Sequence, residues 1–117
     1  MFKAKIRVEH ENCWASKISK KFGAKLYLHN TASLEPKVAS DILFVQADFK
    51  TQDKILKFIK SQKTVKEHQV LEQDQNHAFI LVITSGNNAI IERIVKSNCF
   101  LLEPTLLLGG FEFWVVG

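Results

Sequence analysis

Three groups of residues in this chain have types and spacings that could do chemistry. His10 and Cys13 lie three residues apart, and Cys99 lies far downstream. One imidazole with two thiolates is a soft donor set suited to zinc or a redox-active metal, and the same thiols could answer an oxidant. The competing reading makes both cysteines small buried hydrophobes and His10 a turn residue with a satisfied ring. Trp14, Phe111, Phe113 and Trp114 could line an apolar pocket for a small aromatic ligand or an acyl group, although rings at helical or strand spacing more often fill a core. The third group is Lys50, Lys54, Lys57, Lys60, Lys63 and Lys66, which recur every three or four residues. Such a stripe could track phosphates, but no arginines or exposed aromatics interleave with it, and a solvated helix face is the better explanation.

These groups must be held by elements that the patterning outlines. Residues 2–9 alternate apolar and charged without a break, as a strand with one wet face does. Asn12 can cap a short helix whose apolar positions Trp14, Ile18 and Phe22 recur every four residues, with Gly23 placed to end it. Residues 24–29 alternate as a second strand, and residues 30–40, with Pro36, break the pattern. Residues 42–47 form an apolar run that leads to a helix capped by Thr51 and burying Ile55, Phe58 and Ile59. Residues 64–73 and 78–84 read as a hairpin turning at 74–76. A third helix with Ile90, Ile91, Ile94 and Val95 as its stripe follows a cap in residues 85–88 and ends near Asn98. Gly109-Gly110 between two apolar runs is a hairpin signal.

The order strand, helix, strand, strand, helix, strand over residues 41–102 is that of the split βαβ motif. The expected class is therefore α+β: a ferredoxin-like βαββαβ (ACT-like) core with an added N-terminal βαβ and a C-terminal β-hairpin, its helices on one face. Within that core, residues 42–47 and 78–84 are expected to pair as parallel central strands. The last strand, residues 111–116, is expected to offer an edge or a face to a second copy, giving a homodimer.

Several function classes are disfavoured. With 117 residues, 46% hydrophobic and 24% charged, the chain has the length of one domain and the composition of a folded one. The apolar runs are far shorter than a bilayer span and no secretory h-region is present, so a cytoplasmic location with no membrane partner is the default. A net charge of +4 permits nucleic-acid binding, but Arg7 and Arg93 are the only arginines among the 16 Lys and Arg residues, which argues against bidentate base readout. There is no phosphate loop, no GxSxG, no HExxH and no paired-carboxylate signature, so an enzyme is not expected.

Three patches resemble a known family. Arg7-Val8-Glu9-His10-Glu11-Asn12-Cys13-Trp14-Ala15-Ser16 is similar to the His-Glu-Gly-Cys-Trp-Thr stretch near the start of archaeal helix-turn-helix regulators of the bacterio-opsin-activator (Bat-like) type. Asn98-Cys99-Phe100 and Gly109-Gly110-Phe111-Glu112-Phe113-Trp114-Val115-Val116-Gly117 resemble that family's later Gly-Cys and Gly-Gly-aromatic-Glu-aromatic-Trp stretches. Asn12 and Asn98 stand where glycine is expected, and Ala15 where threonine is. The resemblance implies a ligand- or redox-responsive regulatory domain of an archaeal transcription regulator. Its DNA contact would be made only through a helix-turn-helix on the C-terminal side, outside residues 1–117. On that reading His10, Cys13, Trp14, Cys99, Phe111, Phe113 and Trp114 are the candidate ligand-binding residues for a small molecule, with His10, Cys13 and Cys99 as candidate metal ligands and the cofactor, if any, unidentified. Residues 10–14 are expected to approach Cys99. The alternatives are a nucleic-acid-binding protein using the lysine-rich helix face, or a small enzyme without a recognised motif.

Overall fold

The computed structural model describes residues 3–9, 13–35, 38–85 and 97–117, and for residues 30–35 the backbone alone. The elements run β1 (Ala4–Glu9), α1 (Trp14–Phe22), β2 (Lys25–Glu35), β3 (Val38–Gln46), α2 (Phe49–Ser61), β4 (Val65–Gln73), β5 (His77–Ser85), β6 (Thr105–Leu108) and β7 (Phe111–Val116). The third helix read from residues 87–98 lies mostly outside the described residues. Among them no helix is long and apolar enough to cross a membrane.

The seven strands among the described residues join one sheet in the order β1-β7-β6-β2-β3-β5-β4. Every described pairing is antiparallel. This corrects the expected ferredoxin-like βαββαβ core. The split motif would set its last strand directly beside its first, but β2 occupies that place, pairing β3 on one side and β6 on the other. The strand assigned to an added N-terminal unit is thus the middle strand of the whole sheet. The expected parallel pair is also overturned: β3 and β5 are antiparallel, with Leu43 opposite Ile80 and Val45 opposite Ala78. β7 has no free edge to offer, because β1 and β6 flank it.

Local chemistry explains the joints. In the β4–β5 turn the Asp74 carboxylate accepts from the backbone N–H groups of Asn76 (2.8 Å) and His77 (2.7 Å), closing an Asx turn. These bonds hold the Asp74 carboxyl below the usual carboxylate range. Gly109 and Gly110 take φ of 60° and 90°, the left-handed pair that a two-residue hairpin turn demands. Asn98 takes φ of 58°, so it adopts a conformation that favours the glycine its family-like setting suggests, and asparagine tolerates it. α2 starts two residues before the expected Thr51 cap, since Asp48 caps it by accepting from the Thr51 N–H at 2.7 Å. α1 begins after Cys13 rather than Asn12, and Cys13 makes no side-chain cap.

Cross-strand partners share a face, so the register divides the sheet in two. One face carries Leu26, Leu43, Val45, Ala78, Ile80, Val82 and Leu107, which pack with Trp14, Ala15 and Ile18 of α1 and with Ile55 and Ile59 of α2. This is the core. The other face carries Tyr27, Ile42, Phe44, Phe79, Leu81 and Phe113, each half-buried. Rings stack along it, with Phe44 4.8 Å from Phe79, 5.5 Å from His77 and 6.1 Å from Tyr27 between centroids.

Candidate functional site

The most unusual chemistry lies under the start of α1. Cys13 holds the N-cap position in extended conformation, and Trp14, Ala15 and Ile18 anchor the helix in the core behind it. On β7, strand alternation turns Glu112, Trp114 and Val116 inward and Phe111, Phe113 and Val115 outward. Glu112 is only 3% exposed, and its Oε1 lies 3.6 Å from Cys13 Sγ, which donates to it. A buried carboxyl thus sits beside the positive end of a helix, where its charge is favoured.

Burial, and next the Glu112 carboxylate, push the Cys13 thiol up to about 11, against hydrogen bonds from Ser16 and the Ala15 backbone that favour the thiolate. At neutral pH the group is therefore a protonated donor, poorly suited to nucleophilic or redox chemistry. Two residues along β7, Trp114 is buried, and its Nε1–H has no hydrogen-bond acceptor among the described residues. The helix is tied to this place from the other side as well. Ser19 Oγ accepts from the Gly110 N–H at 3.0 Å while donating to the Ser16 carbonyl at 2.8 Å.

Two of the three patches singled out in the sequence, around Cys13 and around Glu112, therefore meet, although these residues are 99 positions apart. Residues 3–117 match the family described as HVO_2525_N, N-terminal. The chain belongs to this archaeal-type family of N-terminal domains. No curated protein and no solved structure matches it.

The remaining candidates are spread out. His10 lies outside the described residues. Cys99 directly precedes Phe100, whose backbone pairs with Gly117, while Cys13 contacts Glu112 five residues back along the chain. These two anchor points are five residues apart along the chain, roughly 16 Å at about 3.3 Å per residue, and the expected approach of residues 10–14 to Cys99 lies partly outside the described residues. The Cys99 thiol instead faces the Ser97 carbonyl at 3.7 Å. Among the described residues no group of three or more His, Cys, Asp or Glu side chains is placed to hold a metal ion. Trp14 packs in the core. Phe111 and Phe113 lie on the open face, with the Arg7 guanidinium 5.1 Å from the Phe111 ring centroid, so they share no pocket with Trp114. Lys50, Lys54, Lys57, Lys60, Lys63 and Lys66 are all exposed, and Lys57 pairs with Asp53 at 3.2 Å.

The buried polar residues Glu112, Gln52 and Asp41 were not among the candidates that the sequence offered. Gln52, fully buried, donates to the carbonyls of Ala47 (2.8 Å) and Asp74 (3.1 Å) and accepts from Gln73 (2.9 Å). Its position three residues before Ile55 on the buried stripe was the available signal. Asp41 faces inward between Ala39 and Leu43, 5% exposed, with an Oδ1 that has no hydrogen-bond partner among the described residues. Burial pushes its carboxyl up to about 7. A depression of about 330 Å³ lined by Glu67, His68, Gln69, Leu81 and Ile83 lies at the β4 side of the sheet, away from Cys13.

Proposed function

We propose that this domain is a ligand-responsive, non-catalytic regulatory module of an archaeal transcription regulator, acting on a helix-turn-helix domain attached at its C-terminal side. Membership in an archaeal-type family of N-terminal domains and the Bat-like patches support this reading. The observation that carries it is the buried meeting of Cys13, Glu112 and Trp114, in which an indole N–H is left without an acceptor. A buried donor without a partner costs about 1–3 kcal/mol, a cost that a small polar ligand accepting from it would relieve. The thiol stays protonated at neutral pH, which favours a small-molecule ligand over an oxidant. The ligand acts by binding one arrangement of the attached domain better than another, and by no more than that difference in affinity.

The test is DNA binding by the product of the complete reading frame. The full product should bind its own upstream DNA with a steep salt dependence, and residues 1–117 alone should not. Binding by residues 1–117 with the full salt slope would instead assign the DNA contact to the exposed lysines.

A further inference from the structure

β4 differs from the other strands in lying open. It ends the sheet with β5 as its one neighbour among the described residues, and Lys66 to Gln73 are exposed without a break, so both of its faces are wet. Val70 and Leu71 lie in this run, 36% and 48% exposed. Ser85 at the end of β5 and Phe100 beside Gly117, which bound the next stretch of chain, both lie on the inner side of β4.

The register tells which backbone groups this edge presents. At one end the Ser85 N–H donates to the Thr64 carbonyl at 2.8 Å, and at the other the Asp74 N–H donates to the His77 carbonyl at 2.9 Å. Hydrogen-bonded and non-hydrogen-bonded pairs alternate along an antiparallel ladder, and counting inward from either end gives the same result. Glu67, Gln69 and Glu72 turn their backbone groups toward β5, whereas Val65, His68, Val70 and Gln73 turn theirs outward. The Val65 N–H is taken by the Gln62 carbonyl at 3.1 Å, and the other outward groups have no partner among the described residues. Lys66 and Leu71 are the extra residues of two bulges. The pattern is symmetric about Gln69: one bulge lies on each side of it at equal distance, and so do His68 and Val70, and Val65 and Gln73.

We propose that β4 pairs antiparallel with β4 of a second copy, about a two-fold axis that passes through Gln69 perpendicular to the sheet and makes the two sheets one. His68 and Val70 then exchange backbone hydrogen bonds with Val70 and His68 of the other copy, and the Gln73 N–H meets the Val65 carbonyl. No other antiparallel register sets all of the outward residues opposite one another. The side chains agree with it. Lys66 lies opposite Glu72 of the other copy at both ends, Glu67 lies opposite Leu71, and no like charges stand opposite each other. Gln69 alone meets its own counterpart, and its amide both donates and accepts. Bulges and charges ordinarily keep an edge strand from pairing at random. Here bulge faces bulge and Lys66 faces Glu72, so the same devices admit this register and penalise slipped ones. An edge pair of this length stays below about 1,200 Å², which places the association in the micromolar range.

Sedimentation equilibrium and cross-linking of the 117-residue chain test the pairing, with variants confined to exposed side chains. The native chain should be largely dimeric at about 100 μM. Glu72→Lys and Lys66→Glu should each weaken association about fivefold or more, and the double variant Lys66→Glu/Glu72→Lys should return to within about threefold of the native chain, because the pair is restored with its sign reversed. In a Cys99→Ala background Gln69→Cys should form a disulfide-linked dimer in air, since directly opposed Cβ atoms lie about 5 Å apart. Glu67→Cys in the same background should not, because four residues, about 13 Å, separate it from its counterpart. A monomer at about 100 μM would overturn the proposal, as would a dimer that cross-links at position 67 or at neither position, or a double variant as weak as its parents. Slow hydrogen exchange of the His68 and Val70 amides in a monomer would give the edge to another segment of the chain and also overturn it.

Discussion

Gln52 under α2 and the Cys13–Glu112 pair under α1 are both buried polar places where a helix meets the sheet, and they are built in opposite ways. Gln52 uses both amide hydrogens and its carbonyl, and each bond ties α2 to a different neighbour: the end of β3, the β4–β5 turn and β4 itself. Every group there has its partner, so the corner holds the fold and has nothing left over for a ligand. At the α1 corner the buried Trp114 indole N–H has no acceptor among the described residues, so one buried donor is left over. Satisfied polar groups specify a structure; unsatisfied ones mark where something else can bind.

The largest effect should come from breaking the satisfied corner. Gln52→Ala removes a fully buried side chain with three hydrogen bonds and opens space beside Ile55, and should lower unfolding free energy by roughly 2–4 kcal/mol in urea titration. A loss below about 1 kcal/mol would mean that water enters the corner freely, and the contrast with the α1 corner would fail.

Asp41 sharpens the contrast from the unsatisfied side. Its carboxyl titrates near 7 when folded against 3.8 as a free group. Between those values the folded chain holds a proton that the unfolded chain has lost, so stability falls as pH rises, by up to about 1.4 kcal/mol per pH unit. Below the lower value the penalty is absent, and above the upper one it is complete. Asp41→Asn should remove this slope between pH 4 and 7, as measured by urea midpoints at each pH. An unchanged slope would place the carboxylate in water.

How far the sequence could be read follows the range of the interactions. The alternation of β1, the paired glycines at 109 and 110, Gly23 at the end of α1 and the β4–β5 turn are all local, set by residues within a few positions of one another, and they appear in the structure where they were expected. The sheet order is not local. Nothing near residues 25–35 tells β2 to sit between β3 and β6, since the choice rests on contacts with residues about 80 positions away. Two cap-forming residues three apart, Asp48 and Thr51, made the start of α2 ambiguous, and the hydrogen bond from the Thr51 N–H to Asp48 resolves it. At the site, alternation alone set Glu112 and Trp114 against Phe111 and Phe113. That Cys13 rather than Cys99 would be the thiol nearby depended on which end of β7 each helix terminus reached.

A smaller effect is expected at the indole. Trp114→Phe removes a buried N–H that has no acceptor while keeping most of the ring, so the loss of packing and the relief of the unpaired donor should nearly cancel, leaving stability within about 1 kcal/mol of native. A loss of several kcal/mol would show that the N–H is satisfied after all and that the α1 corner is as closed as the α2 corner.

The smallest effect, and the most local, concerns the thiol. Burial is the larger cause of the raised Cys13 pKa and the Glu112 carboxylate the lesser one. In a Cys99→Ala background the pH dependence of labelling by a small thiol reagent should therefore have its midpoint near 11, well above the ordinary 9.0. Glu112→Gln removes the repelling charge but not the burial, so the midpoint should move down without reaching the ordinary value. The same shift makes stability fall between about 9 and 11, where the folded chain keeps a proton that the unfolded chain gives up, and Glu112→Gln should make that fall shallower. A native midpoint at the ordinary thiol value would mean that Cys13 is open to solvent and does not face Glu112. A midpoint unmoved by Glu112→Gln would leave burial as the sole cause, and the thiol and carboxyl would no longer count as one site.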